Sequence, residues 1–175
     1  LNYVNPMAMI TGAMLRGSAI RTVGLCHSVQ GCASGLLRRV GMLDEVEQLQ
    51  WKVAGINHQA WLLELTDGGE DLYPEVKRRA AELNRKARTG EIEKHGDMVR
   101  FEMMRHFGYY ITESSEHNAE YVPYWIKSTY PDLIDEFNIP LDEYPRRCIR
   151  QIERWQERSK ELTQNPSLTH TRTHE

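Results

Sequence analysis

Residues 49–69 read LQWKVAGINHQAWLLELTDGG. Two apolar runs, LQWKVAGIN and AWLLELTDG, meet near His58, and the second runs into the turn signal TDGG. This pattern predicts two strands of one antiparallel meander with His58 near their junction. Helical patterns lie on both sides of it, so the fold class reads as α/β (mixed α+β), with helices in the majority.

Upstream, LNYV reads as a strand end. Asn5-Pro6 follows helix-start grammar, Asn as N-cap and Pro at the first helical position, ahead of the helix PMAMITGAMLRG. IRTVGLC reads as a short strand, and Ser28 is placed to cap a second helix that includes GLLRRVG. Cys26 and His27 therefore fall at a strand-to-helix junction, where a helix's positive end favours a thiolate. Downstream, PEVKRRAAELNRKAR predicts a polar helix and ARTGEIEKHGD a mobile loop. MVRFEMMRHFG predicts an amphipathic helix ended by Gly108, YYITESSEHNAEYVPYW a strand or loop, and PDLIDEF a short helix. The last helix starts near Pro145, and Cys148, Ile152, Trp155, Ser159 and Leu162 share one of its faces.

The chain has 175 residues, 40% of them hydrophobic, enough for one ordinary domain with a sizeable core. A net charge of -3, mixed along the chain, offers neither a nucleic-acid footprint nor a basic membrane-surface helix. No apolar run approaches the ~20 residues that span a bilayer, and no secretory signal is visible. Three cysteines without framework spacing point to reduced thiols in a cytoplasmic setting. The chain opens at Leu1 inside LNYVNP and closes on THTRTHE, which reads as a segment of a longer protein.

Cys26 and His58 are the pair with most chemical potential. Both are metal-ligand types, each at a break in regular structure. Two ligands do not close a structural zinc site, but they would leave positions for water or substrate oxygens. Cys26 reads equally as a small buried hydrophobe, and His58 as a hydrogen-bonded turn histidine. His27 is either a proton donor or a surface histidine. Asn5 caps its helix or offers an amide to a sugar hydroxyl, and Asn57 offers the same amide chemistry. Glu113, Glu116, Glu120 and His117 supply base candidates within an otherwise solvated charged loop.

Four stretches taken together, NYVNPMAM, GLCHSVQG, AGINHQAW and TESSEHNAEYVPY, resemble the NAD- and metal-dependent glycosidases of glycoside hydrolase family 4. CHSV and LDEYPRRC look like the melibiase-type α-galactosidase subgroup. The resemblance implies a two-domain fold similar to lactate and malate dehydrogenases. Residues 1–17 would be the tail of the N-terminal dinucleotide-binding (Rossmann) domain, and 18–175 part of the C-terminal catalytic domain. The family's glycine-rich dinucleotide loop is not in this sequence, so the chain alone is expected to be inactive.

Carried over by motif, Cys26 and His58 become the metal ligands and His27 the acid that protonates the leaving oxygen. Asn5 contacts substrate beside the nicotinamide; Asn57 stays a second candidate for a substrate contact on its amide chemistry alone. The base falls in TESSEH, where alignment puts Ser114 and neighbours Glu113, Glu116 or Tyr110 are alternatives. The implied cofactors are NAD and Mn2+, although ligand softness alone would favour zinc or iron. The implied reaction is α-galactoside hydrolysis by C3 oxidation, C2 deprotonation, elimination and water addition, outside the two-carboxylate scheme. The implied partners are a small-molecule sugar and further copies of the chain in a homo-oligomer. Two other readings stay open. One is a redox-silent zinc hydrolase built on Cys26, His27 and His58, and the other a non-catalytic segment whose Tyr121, Tyr124 and Trp125 form a subunit interface.

Overall fold

The computed structural model describes residues 1–56 and 58–165. They fall into two compact units, Leu1–Ile139 and one beginning at Pro140. The first unit is mixed α/β, as the sequence predicts. Its sheet is centred on β2 (Gln59–Asp67), paired antiparallel along its whole length with β1 (Leu49–Ile56). The other edge of β2 takes two short antiparallel partners, β3 (Glu70–Asp71) and β4 (Tyr110–Ile111).

The β1–β2 ladder slips between Lys52 and Val53, which face Glu64 and Leu62, so Leu63 bulges out of register. The extra residue changes which positions point inward. Ala60 and Leu62 are buried before the bulge and Leu65 after it. The TDGG turn forms as read, with Gly68 and Gly69 both at positive φ.

Helices α3 (Cys32–Arg39), α4 (Tyr73–Thr89) and α5 (Met98–Phe107) enclose the first core. Leu36, Leu37, Leu62, Leu65, Val76 and Phe101 are among its buried members. The face of α4 repeats at helical spacing through Tyr73, Val76, Ala80, Asn84 and Ala87, all buried, which anchors an otherwise polar helix. Gly90 and Gly108 end α4 and α5 in the left-handed region, as a C-terminal glycine does. A second cluster joins Met98, Val99 and Met103 to Ala119, Trp125, Phe137 and Ile139.

Several local expectations are corrected. Helix α1 (Met7–Gly17) starts one residue later than its grammar suggests. Pro6 occupies the cap position without a side-chain bond, so Asn5 is not the N-cap. The amide that bonds this helix belongs to Asn2, whose Nδ2 donates to Met7 O and Thr11 Oγ1. IRTVGLC forms no full strand. Among the described residues only Gly24 of this run bridges, parallel to Asn2. Helix α2 (His27–Gln30) begins before Ser28, so Cys26 itself holds the cap position, and Gly31 separates α2 from α3. The 90–97 segment is irregular but tied down. Lys94 Nζ reaches Asp135, and Asp97 meets Arg39 and Arg100. TESSEHNAEY is not strand or plain loop: it holds α6 (Ser115–Tyr121), capped by Ser114.

Helix α7 (Asp132–Glu136) forms where expected. In the second unit, α8 (Glu143–Gln164) carries Pro145 in its first turn. No residue of α8 is buried, and Trp155 on its apolar face is 68% exposed.

Candidate metal centre

Cys26 ends an extended stretch (φ -93°, ψ 135°) just before α2, and its Sγ lies 2.9 Å from Ser28 Oγ. His58 sits in the two-residue link between β1 and β2 at φ 64°, a left-handed conformation uncommon for a side chain of its size. Glu113 follows β4 and precedes α6. One ligand atom from each of Cys26, His58 and Glu113 lies within 4.8 Å of the other two. His58 Nε2 is 3.3 Å from Glu113 Oε2, while Nδ1 is 3.2 Å from Tyr121 Oη. The imidazole also stacks on His117, with ring centres 5.8 Å apart and planes 7° apart.

The donor set is one soft sulfur, one borderline nitrogen and one hard oxygen. Three such donors close together suit a divalent cation, and three is fewer than a closed site takes, so positions remain open for exchangeable ligands. Cys26 also borders a cavity of about 370 Å³ whose lining includes Tyr3, Met7, Val29, Trp51 and Val53.

The other residues singled out from sequence are placed differently. His27 is exposed and meets the Tyr3 ring edge-on at 5.0 Å, and it is not a member of the three-donor group. Asn5 is exposed, and among the described residues its side chain makes no hydrogen bond. Asn57 lies outside the described residues. Ser114 Oγ accepts the His117 N–H as a helix cap, so the hydroxyl that alignment puts in the base position is engaged in folding. Tyr110 is removed from the base candidates. It is buried in the core, its hydroxyl donates to Asp97 Oδ1, and burial pushes its pKa well up. Glu116 lies in the first turn of α6, half-buried and apart from the three donors.

The three aromatic residues read as an interface do not form one patch. Trp125 is buried against Phe137, Tyr121 leans on His58, and Tyr124 faces Phe107. All three cysteines are free thiols. Cys32 is buried, and desolvation raises its pKa to about 11 despite the neighbouring Arg100. No helix among the described residues is long and apolar enough to cross a membrane. The contact of Tyr121 with His58 has no precursor in the sequence pattern, because it depends on where α6 docks.

The chain is similar to several known proteins. An α-galactosidase of Bacillus subtilis is 58% identical over the whole chain, which covers 38% of that protein. An α-galactosidase of Rhizobium meliloti is 34% identical over 137 residues, 78% of this chain and 26% of that protein. The chain thus spans well under half the length of these relatives. Among solved structures, the lplD protein of Bacillus subtilis superposes with TM-score 0.69 at 23% identity, covering 93% of this chain and 40% of that one. A 6-phospho-α-glucosidase from gut microorganisms, in complex with NAD and Mn2+, superposes at TM-score 0.60 and 22% identity, covering 95% of this chain and 38% of that one. These superpositions establish a shared fold. The family 4 glycosyl hydrolase profile matches residues 1–42 and the profile of that family's C-terminal domain matches residues 53–175, so the chain belongs to the family 4 glycosyl hydrolases.

Proposed function

We propose that this chain forms the metal-holding part of an NAD- and Mn2+-dependent glycosidase that hydrolyses α-galactosides. The observation that carries the reading is the convergence of Cys26, His58 and Glu113 on one point. The likeness to two α-galactosidases supports the substrate class, and the NAD and Mn2+ bound to the 6-phospho-α-glucosidase support the cofactor pair. In this reading residues 1–17 end a dinucleotide-binding domain and 18–175 belong to the catalytic domain of a cytoplasmic homo-oligomer.

The hard Glu113 oxygen and the sugar oxygens suit Mn2+, offsetting the soft Cys26 sulfur. Cys26 and His58 would hold the ion, and the bound NAD and cation would supply hydride exchange and Lewis-acid polarisation at the sugar. The chain's own groups do the rest. His27, next to Cys26 at the start of α2, gives its ring proton to the departing glycosidic oxygen as the C1–O bond breaks. Asn5 and Asn57 orient the sugar through amide hydrogen bonds. After a base takes the C2 proton and elimination leaves a C1–C2 double bond, water adds across it, its oxygen to C1 and a proton back to C2.

The test is hydrolysis of p-nitrophenyl α-galactoside by a protein carrying this chain together with a dinucleotide-binding domain. Activity is expected only with NAD and Mn2+ together, and is lost in Cys26→Ser. Turnover undiminished after NAD is stripped would overturn the redox mechanism and favour the zinc-hydrolase reading.

A further inference from the structure

We propose that Glu113 is a third protein ligand of the centre, its Oε2 joining Cys26 Sγ and His58 Nε2 around one divalent cation. The inference rests on the reading that Cys26 and His58 bind the metal.

The first support is the state of the carboxylate. The Glu113 side chain is only 13% exposed, and among the described residues its sole ion-pair partner is His58. Among the described residues no lysine or arginine pairs with it. A carboxylate withdrawn from water needs a cationic partner or a metal ion. A histidine that ligates a metal is neutral and cannot supply that charge.

The second support is the division of the donor atoms. Glu113 Oε1 accepts the Ser114 N–H at 2.9 Å, which leaves Oε2 facing His58 Nε2 at 3.3 Å. On the far side of the imidazole, Tyr121 Oη meets Nδ1 at 3.2 Å. A metal-binding histidine commonly donates its second ring N–H to such an outer partner, which fixes the tautomer. Here that arrangement turns Nε2 toward Glu113.

The third support is the mounting. Asn118, fully buried in α6, donates from Nδ2 to the Glu113 and Ser114 carbonyls, each at 2.8 Å. Arg100 Nη2 donates to Ile111 O at 2.8 Å and Thr112 O at 3.1 Å. The backbone that presents Glu113 is thus held on both sides, as a ligand position requires. Ligand bonds of about 2.0–2.3 Å place donors around a shared ion roughly 3–4 Å apart. The three donors already lie within 4.8 Å of one another, so small side-chain adjustments close the site. The thiolate and the carboxylate together balance a divalent charge. A Glu113 engaged in this way, with Oε1 on Ser114 and Oε2 on the ion, is not the base that removes the C2 proton.

The experiment titrates Mn2+ alone into the 175-residue chain, following free Mn2+ by electron paramagnetic resonance. Wild type is compared with Cys26→Ser, His58→Ala, Glu113→Gln and Glu113→Asp, with circular dichroism as the check on folding. The expected result is affinity weakened about tenfold or more in Cys26→Ser, His58→Ala and Glu113→Gln, with Glu113→Asp between these and wild type. In the Co2+-loaded chain, Glu113→Gln should shift the visible ligand-field bands while keeping the sulfur-to-metal charge-transfer band. Wild-type affinity in Glu113→Gln beside weakened binding in Cys26→Ser overturns the Glu113 assignment and leaves the metal reading intact. Unchanged affinity in Cys26→Ser and His58→Ala overturns the metal reading itself. Should Glu113→Gln misfold, a Glu113→Asp variant that folds with unchanged affinity and Co2+ spectrum overturns the assignment equally.

Discussion

Replacing Arg100 by methionine should cost about 3 kcal/mol of stability and loosen the metal centre as well. Its side chain is 14% exposed and stretches from Asp97 to the strand that leads into Glu113. Nη1 donates to Asp97 Oδ1 at 3.1 Å, while Nε and Nη2 both reach Ile111 O and Nη2 also reaches Thr112 O. The guanidinium lies 4.0 Å over the Tyr110 ring. Methionine preserves much of the side-chain volume and removes every one of these donors.

Breaking a buried ion pair by deleting one partner costs roughly 3–5 kcal/mol. Asp97 keeps Arg39 at 3.0 Å and the Tyr110 hydroxyl at 3.1 Å, which places the loss at the low end. At a urea dependence of about 2 kcal/mol per molar, that loss lowers the midpoint by about 1.5 M. Urea denaturation followed by near-ultraviolet circular dichroism measures it. Lysine should not rescue the loss, since a single ammonium cannot reproduce the fork that grips two carbonyls and a carboxylate. Mn2+ affinity should fall with stability, because Ile111 and Thr112 set the course of the chain into Glu113. A midpoint within about 0.3 M of wild type would refute the claim that this guanidinium organises the segment.

Gly55→Ala should disrupt the hairpin that carries His58. Gly55 has φ 135°, and an added Cβ would stand 2.6 Å from Ala60 Cα and 2.9 Å from Gln59 O, both backbone atoms with no freedom to swing away. A loss of at least about 2 kcal/mol together with weakened Mn2+ binding is expected, and a variant with wild-type stability and affinity contradicts this close packing. Alkaline pH should destabilise the fold. Burial raises the Cys32 pKa from an ordinary 9.0 to about 11 and also raises Tyr73 and Tyr110. The unfolded chain therefore releases these protons first, and stability present below pH 9 is lost as pH climbs through 11. Cys32 alone accounts for about 2–3 kcal/mol of that loss. Urea midpoints at pH 8 and pH 10.5 measure the fall, which should be smaller in Cys32→Ala; an equal fall in that variant removes Cys32 from the account.

The elements legible in the sequence are those whose signal is local and strong. The β1–β2 pair announces itself by two apolar runs and a Gly-Gly turn, and α5 by its apolar face and closing Gly108. Helix α6 went unread because it is seven residues of polar sequence, although Ser114 as cap and Glu116 in the first turn are standard start signals. IRTVGLC shows the opposite error. An apolar run makes a strand only where another backbone lies beside it, and here one residue bridges. At Asn5-Pro6 the helix starts one residue later than the local grammar indicates, with Pro6 at the cap position, and the amide bonded to α1 is that of Asn2.

The candidate centre divides along the same line. Cys26 and His58 each mark a break that the sequence displays, one before a helix and one in a hairpin link. That Glu113 joins them depends on strand register. β2 pairs with β4 through Leu62↔Tyr110 and Trp61↔Ile111, and the Thr112 N–H continues the ladder to Ala60 O at 2.9 Å. Glu113 directly follows the residue that closes this ladder, and Gln59, the neighbour of His58, directly precedes Ala60. No spacing along the chain encodes that pairing. It is fixed by the cores that hold β4 and α5 in place, with Ile111 and Tyr110 both fully buried. A slip of one residue would turn Glu113 to the other face of the sheet and leave Cys26 and His58 as a two-donor site. The packing that selects this register therefore also sets how many groups the centre can offer a cation.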